Sequence, residues 1–185
     1  ESGGRLFGGF WQELKKEQRK NIIINDEEAV SLDYSQMGPR ILYGLCGIRP
    51  TTQDCYRIPN YDRYRNGIKK VFNAMTFADK KMTRYPKGVK QMFKEGIRFQ
   101  EVSYAIQRYH SGIAHKFYVS IGHYLQYLES QILIKVLLGL KELGIHALPI
   151  HDAVVVGRAW VDMSRQLMEQ VFLDMTNVES WVQVE

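Results

Sequence analysis

The strongest constraint on the fold is a pair of β-prone runs, far apart in the chain, that each meet an aspartate. Ala29-Val-Ser-Leu-Asp33 ends on a carboxylate just where a helix is expected to begin. Leu148-Pro-Ile-His-Asp-Ala-Val-Val-Val156 places His151 and Asp152 between two short strand-forming runs. The first run has its own neighbour, Asn21-Ile-Ile-Ile, across Asn25-Asp-Glu-Glu, so both regions read as antiparallel hairpins. The helical patterns lie between the hairpins and do not alternate with single strands. That order argues against a βαβ fold and predicts an α+β class, a small antiparallel sheet backed by helices.

The 3.6-residue period is clear between the strands. Pro39 suits the first turn of a helix running to about Leu45, with Gly47 as its C-terminal cap. From Asp62 to Ala78, the residues Ile68, Val71, Phe72 and Met75 form one apolar stripe, with Arg65 and Lys69 a turn apart on another face. Beyond Pro86, two shorter helices are expected over 87–96 and 99–110. A long helix from Phe117 to Leu143 carries Ile121, Tyr124, Leu125, Leu128, Ile132, Val136 and Leu140, and ends at Gly144. A last helix covers Val161 to Met175, and Trp181-Val-Gln-Val adds a final strand. Residues 1–11 read as loop or irregular strand, and 13–20 as a charged helical or connecting segment.

Composition sets the scale. The 185 residues, 45% apolar and 24% charged, suffice for one domain with a real core. The net charge of +5 is unevenly spread: residues 63–98 hold eleven Lys and Arg against Asp79 and Glu95. Such an excess points to a polyanion, nucleic acid or nucleotide phosphates, over the plainer reading of a solvated helical face. Cys46 and Cys55 cannot make a disulfide framework or a zinc site and are expected as free thiols in a reducing compartment. The apolar run near 132–140 is too short and interrupted to span a bilayer, so no membrane partner is expected. The chain opens on Glu1-Ser-Gly-Gly without an initiator Met and is expected to be a piece of something longer.

A lone Asp at a strand end is ordinarily a cap or turn former. Two of them at the ends of strands in one sheet could do more. A pair of Mg²⁺ ions about 3.5–4 Å apart activates an attacking hydroxyl and stabilises a leaving pyrophosphate. Mg²⁺ takes a few carboxylates plus substrate phosphate oxygens, so Asp33 and Asp152 would be enough. Other candidates are weaker. His110 and His115 have helical metal-pair spacing but no accompanying Glu or Cys, and read as packing; His123 and His146 have no evident partner. Tyr104, Tyr109, Tyr118, Tyr124 and Tyr127 could offer stacking platforms for bases, though their helical spacing also suits amphipathic packing. Glu129 and Gln131 on the long helix could face a template–primer.

The motifs occur together in a known order. Asp33-Tyr-Ser-Gln-Met-Gly-Pro-Arg40 resembles the first palm motif of family A DNA polymerases, D-Y-S-Q-x-E-x-R. Arg65-x3-Lys69-x7-Phe77-Ala78 resembles their fingers-helix motif, and His151-Asp152-Ala153 their H-D-E hairpin. Gly4-Arg5-Leu6 resembles the G-R-L segment that meets the primer–template minor groove. The resemblance implies a palm in two parts, residues 1–61 and 117–185, around a reduced fingers-like helical region, 62–116, with no thumb. It implies Asp33 and Asp152 as catalytic ligands of two Mg²⁺ or Mn²⁺ ions, and His151, with Arg5 and Gln131, on the DNA primer–template. Arg65 and Lys69, or Lys70 in a shifted register, would grip the triphosphate, with Tyr34, Gly38 and Phe77 around the nucleotide. Phe77 is equally well read as ordinary core.

The departures from the family matter as much. Gly38 stands where these polymerases carry a Glu that closes over the sugar, which opens space for a 2′-hydroxyl. The related single-subunit RNA polymerases also have Gly there, but use a Tyr hydroxyl where this chain has Phe77, which cannot hydrogen-bond. Weak sugar discrimination is therefore expected, with both dNTP and NTP accepted. Ala153 removes a possible third carboxylate without implying inactivity, and Ala78 in place of Gly stiffens the fingers helix slightly. Neither a thumb nor a proofreading nuclease fits before Gly4, so further domains or a partner protein would have to supply the grip on DNA. The implied activity is template-directed nucleotide addition to a primer 3′-OH, in the cytoplasm or nucleoid, with a phage, plasmid or other mobile element among the candidate origins. The rival is a catalytically inactive polymerase-fold module that binds nucleic acid within a larger replication or mobile-element protein.

Overall fold

The computed structural model describes residues 6–19 and 21–185. Two short helices, α1 (Phe10–Glu13) and α2 (Lys16–Arg19), lead into a hairpin of β1 (Ile23–Ile24) and β2 (Glu27–Tyr34). Asn25 and Asp26, at φ 51° and 65°, make the two-residue turn between them. Both residue types tolerate the left-handed region, and a turn with two such residues matches the twist of the flanking strands. Four helices follow: α3 (Met37–Leu45), α4 (Arg65–Phe77), α5 (Phe99–Tyr109) and α6 (Ile121–Glu142). The second hairpin, β3 (Ala147–Ile150) and β4 (Ala153–Gly157), then α7 (Val161–Thr176) and β5 (Val182–Val184) complete the chain.

These strands form one antiparallel sheet in the order β1-β2-β4-β3, with β5 also paired to β2. The fold is α+β, a small antiparallel sheet backed by helices, as the sequence predicts. Strand β2 is its centre, paired with β4 from Ala29 to Asp33 and with β5 from Leu32 to Tyr34. Its alternation buries Val30, Leu32 and Tyr34 and leaves Ala29, Ser31 and Asp33 on the other face. On the buried face the Tyr34 ring tilts against Phe172 of α7, and its hydroxyl donates to the Met168 carbonyl at 2.6 Å. Pro149 lies in β3, an edge strand that tolerates its missing N–H. Its carbonyl accepts from Trp11 Nε1 and Gln12 Nε2, which fastens α1 over the second hairpin.

The stripe of α4 is buried as expected, with Ile68, Val71, Phe72 and Met75 almost wholly covered. Phe72 meets Tyr56, His110 and Phe117 edge-on. His110 is completely buried. Its Nε2–H donates to the Cys55 carbonyl and its Nδ1 accepts from the Tyr43 hydroxyl, both at 2.8 Å. A neutral imidazole with one donor and one acceptor is therefore fully satisfied, and it ties α3 and the following loop to the end of α5. Burial pushes its pKa down to about 4. Cys46 and Cys55 are free thiols, and burial raises the pKa of both.

Three local expectations change. The helix expected over 87–96 is only a 3₁₀ turn, Lys90–Met92, between Gly88 and Gly96 at φ 75° and 91°. The apolar residues there are spaced by tertiary contacts: the Phe93 ring lies on Gly67 of α4, where a Cβ would come within 2.7 Å. Helix α6 starts at Ile121, later than expected, because Tyr118 and Ser120 take φ of 64° and 58°. Their backbone N–H groups donate to the Met75 and Ala78 carbonyls, which pins the start of α6 to the end of α4. Phe10–Glu13, within and beyond the expected loop, is a turn of helix. Among the described residues no helix is long and apolar enough to cross a membrane.

Candidate active site

The register of the central strands decides whether the two aspartates meet. Asp33 lies opposite Ala153, and Asp152 immediately precedes Ala153 in the two-residue turn that joins β3 to β4. His151, the other turn residue, is at φ 56°, a conformation His adopts more readily than most side chains. Residues facing one another across an antiparallel ladder are about 4.5–5.5 Å apart at Cα, so the register sets Asp152 beside the end of β2. Both aspartates are half-buried and line one cavity of about 250 Å³.

The rest of that cavity comes from three helices and a loop. Gly38 of α3, Lys69 and Phe77 of α4, Glu129 of α6 and Tyr56 all line it. The Lys69 ammonium is exposed and lies 5.9 Å from the centroid of the buried Tyr56 ring. Burial holds the Tyr56 hydroxyl well above the usual phenol range, so it stays protonated. Phe77, 39% exposed, stands edge-on to His123 and rests on Gly122, where a Cβ would come within 2.7 Å of its ring. A side chain at Gly122 would therefore displace Phe77. A Cβ at residue 38 would come 3.4 Å from Glu129 Oε1, so α6 brings a carboxylate against Gly38 of α3.

Three carboxylates face one ammonium in this cavity, a balance that suits added cations. The donors are hard oxygens, the kind that bind Mg²⁺ or Mn²⁺. Among the described residues no three His, Cys, Asp or Glu side chains group to hold a metal ion. A cation held by Asp33 and Asp152 would then be completed by ligand oxygens and water, as Mg²⁺ prefers. A larger groove of about 680 Å³ lies apart, lined by Tyr61, Tyr104, Arg108 and Tyr109. Its one carboxylate, Glu101, is paired with Arg98 at 2.7 Å, so the smaller cavity is the better place for metal chemistry.

Several expected site residues lie elsewhere. Arg65 does not line the cavity; its Nε is paired with Asp54 Oδ2 at 2.6 Å and its guanidinium sits 5.6 Å from the Tyr56 ring. Lys70 is exposed, away from the cavity, so of the two lysine registers only Lys69 reaches it. Tyr34 borders the cavity, but its hydroxyl is committed to Met168 beneath the sheet and not to a ligand. His151 is exposed at the turn and Gln131 is half-buried on α6, both outside the lining. Arg5, with Gly4, lies outside the described residues.

Other residues came without a sequence signal for their place here. Tyr56 sits in a loop with no motif, and only its burial under the Lys69 side chain reveals it. Arg40, the last residue of the first motif, is buried: it donates to the Gln53 and Glu179 carbonyls and stacks on Trp181 at 4.0 Å. It fastens α3 to the segment entering β5, and burial lowers its pKa.

No protein-family model matches the chain, and no curated protein does. In three dimensions it is similar to the POL domain of Pol1 from M. smegmatis, solved in complex with DNA primer-template and dNTP. The similarity has a TM-score of 0.51 at 13% sequence identity and covers 90% of this chain and 41% of that one. The chain thus spans less than half the length of the structure it resembles. What the likeness shows is the fold: a palm-like α+β arrangement shared with a polymerase domain, its small antiparallel sheet backed by helices.

Proposed function

We propose that the chain is the palm-and-fingers core of a template-directed nucleotidyltransferase, DNA polymerase-like, that extends a primer 3′-OH and releases pyrophosphate. The observation that carries this reading is the shared cavity of Asp33 and Asp152 beside Lys69. The Pol1 domain of similar fold was solved with DNA primer-template and dNTP, the ligands proposed here.

In this reading Asp33 and Asp152 hold two divalent cations, Mg²⁺ or Mn²⁺. When bound, the cations activate the primer hydroxyl and stabilise charge on the leaving group. Lys69 neutralises the triphosphate, a task for which an exposed ammonium on a flexible stem is suited. Arg65, through Asp54, holds the loop carrying Tyr56 against α4 and so backs the Lys69 face. Phe77, propped on Gly122, offers an apolar surface to the base or sugar. His151, exposed at the hairpin turn, and Gln131 contact the primer–template, and Arg5 meets its minor groove. The exposed cations Lys80, Lys81, Arg84, Lys87, Lys90 and Lys94 add sequence-independent attraction for the phosphate backbone. Further domains or a partner protein supply the thumb-like grip.

The test is extension of a labelled primer on a DNA template with Mg²⁺, given dNTPs and NTPs in separate reactions. Extension with both pools is expected, because Gly38 places no side chain of its own in the cavity. A dNTP preference above about a thousandfold, roughly 4 kcal/mol, would overturn the weak discrimination. Nucleic-acid binding that is indifferent to metal, without extension from either pool, would favour the inactive binding module.

A further inference from the structure

We propose that Glu129 reads the sugar of the incoming nucleotide by accepting a hydrogen bond from its 2′-hydroxyl, an inference that rests on the polymerase reading above. Its Oε1 lies 3.4 Å from where a Cβ on residue 38 would stand, so glycine at that position is what leaves the carboxylate its place. Glu129 lines the same cavity as Asp33 and Asp152, yet the three acids do not group as a metal site. Its carboxylate stands against Gly38 of α3, on a different element from the strand ends that bring Asp33 and Asp152 together, which suits it to meet the ligand and not the cations.

The chemistry of a carboxylate narrows which part of the ligand that is. An ionised carboxylate accepts hydrogen bonds and donates none. Phosphate oxygens are acceptors and carry like charge, so Glu129 would repel the triphosphate, which belongs with Lys69. The remaining donors on a nucleotide are sugar hydroxyls and base amino or imino groups. The base groups differ among the four nucleotides, and a fixed acceptor for one of them would defeat template-directed choice. Position agrees: Gly38 is in the first turn of α3, directly after the strand end that bears Asp33. The part of a nucleotide nearest its reacting phosphate is the sugar. Of the sugar hydroxyls, the 2′ group is the one that separates NTP from dNTP. In this site the carboxylate therefore rewards ribose, where a bulky side chain on residue 38 would exclude it.

Calorimetric titration with ATP, dATP and inorganic tripolyphosphate, each with Mg²⁺, tests this on the intact chain. For Glu129→Leu, which keeps bulk and removes the acceptor, ATP binding should weaken by about tenfold to a hundredfold, the usual effect of losing a hydrogen bond to a charged group. Affinity for dATP should change by less than about threefold, well below that cost, and tripolyphosphate should bind at least as well as before. Glu129→Gln, which retains an acceptor, should keep part of the ATP preference. Gly38→Ala, whose methyl would touch the carboxylate, should shift the ATP-to-dATP ratio in the same direction by less. Equal losses for ATP and dATP, or no change in either while tripolyphosphate still binds, overturn the role of Glu129 alone. Tripolyphosphate that fails to bind the unaltered protein overturns the polymerase reading, and this inference with it.

Discussion

Asp33→Asn and Asp152→Asn are each expected to lower the Mg²⁺-dependent primer extension proposed for the chain by at least about a thousandfold, or about 4 kcal/mol of transition-state stabilisation. Asparagine keeps the size and shape of the side chain and removes the charge that a hard cation requires. The backbone partners of Asp33, Ala153 on one side and Gln183 on the other, are untouched by the change. Asp152→Asn should therefore melt within about 0.5 kcal/mol of the parent, and Asp33→Asn, whose Oδ1 is buried, should still give a cooperative melt. Nucleic-acid binding without metal should also persist. Either variant retaining extension within about tenfold of the parent, a loss of only about 1.4 kcal/mol, would remove that aspartate from the catalytic site.

The second large effect is on stability. Because folding lowers the His110 pKa from an ordinary 6.5 to about 4, the unfolded chain takes up its proton first as pH falls. The stabilisation is present in full above about pH 6.5 and is lost as pH drops towards 4, on the order of 3 kcal/mol in total. The physical source is complete burial, with no room to solvate an imidazolium; only the Cys55 carbonyl and a turned Tyr43 hydroxyl could accept from its two N–H groups. Urea melts at pH 7.5 and 4.5 would measure the loss. A His110→Phe variant should be about 2–4 kcal/mol less stable at neutral pH, because the Tyr43 hydroxyl and Cys55 carbonyl lose their partner. It should also show a shallower fall with acid than the parent. Equal acid sensitivity in parent and variant would refute the assignment.

Periodicity made most of the fold legible. The stripe of α4 and the alternation of β2 are local, so each could be read from a few residues, and the hairpin at Asn25-Asp26 announced itself by turn chemistry. The failed helix at 87–96 shows the limit. Val89 and Phe93 are buried at helical spacing, but what holds Phe93 is a glycine on another helix, a contact that no window of sequence contains. The site was legible to the same degree. Asp33 and Asp152 each end a recognisable run, so their convergence could be posed as a question. Tyr56 depends on Lys69 and carries no pattern of its own, and the motif that includes Arg40 gave no sign of its stack on Trp181. Arg65 sat in a readable motif, yet its ion pair with Asp54 of the preceding loop was not visible there.

Strand β5 is a brace for the first acid. Leu32, Asp33 and Tyr34 pair with Val184, Gln183 and Val182, and the Ser35 N–H donates to the Trp181 carbonyl at 2.8 Å. β5 is only three residues long and is held to the sheet through β2, so its opening costs little and reaches Asp33 directly. A protein trimmed after Ser180 should melt as a folded unit while the nucleotide addition proposed for it fades. Heat inactivation would then precede the loss of tertiary structure, and the interval between them would report how firmly this strand is fastened.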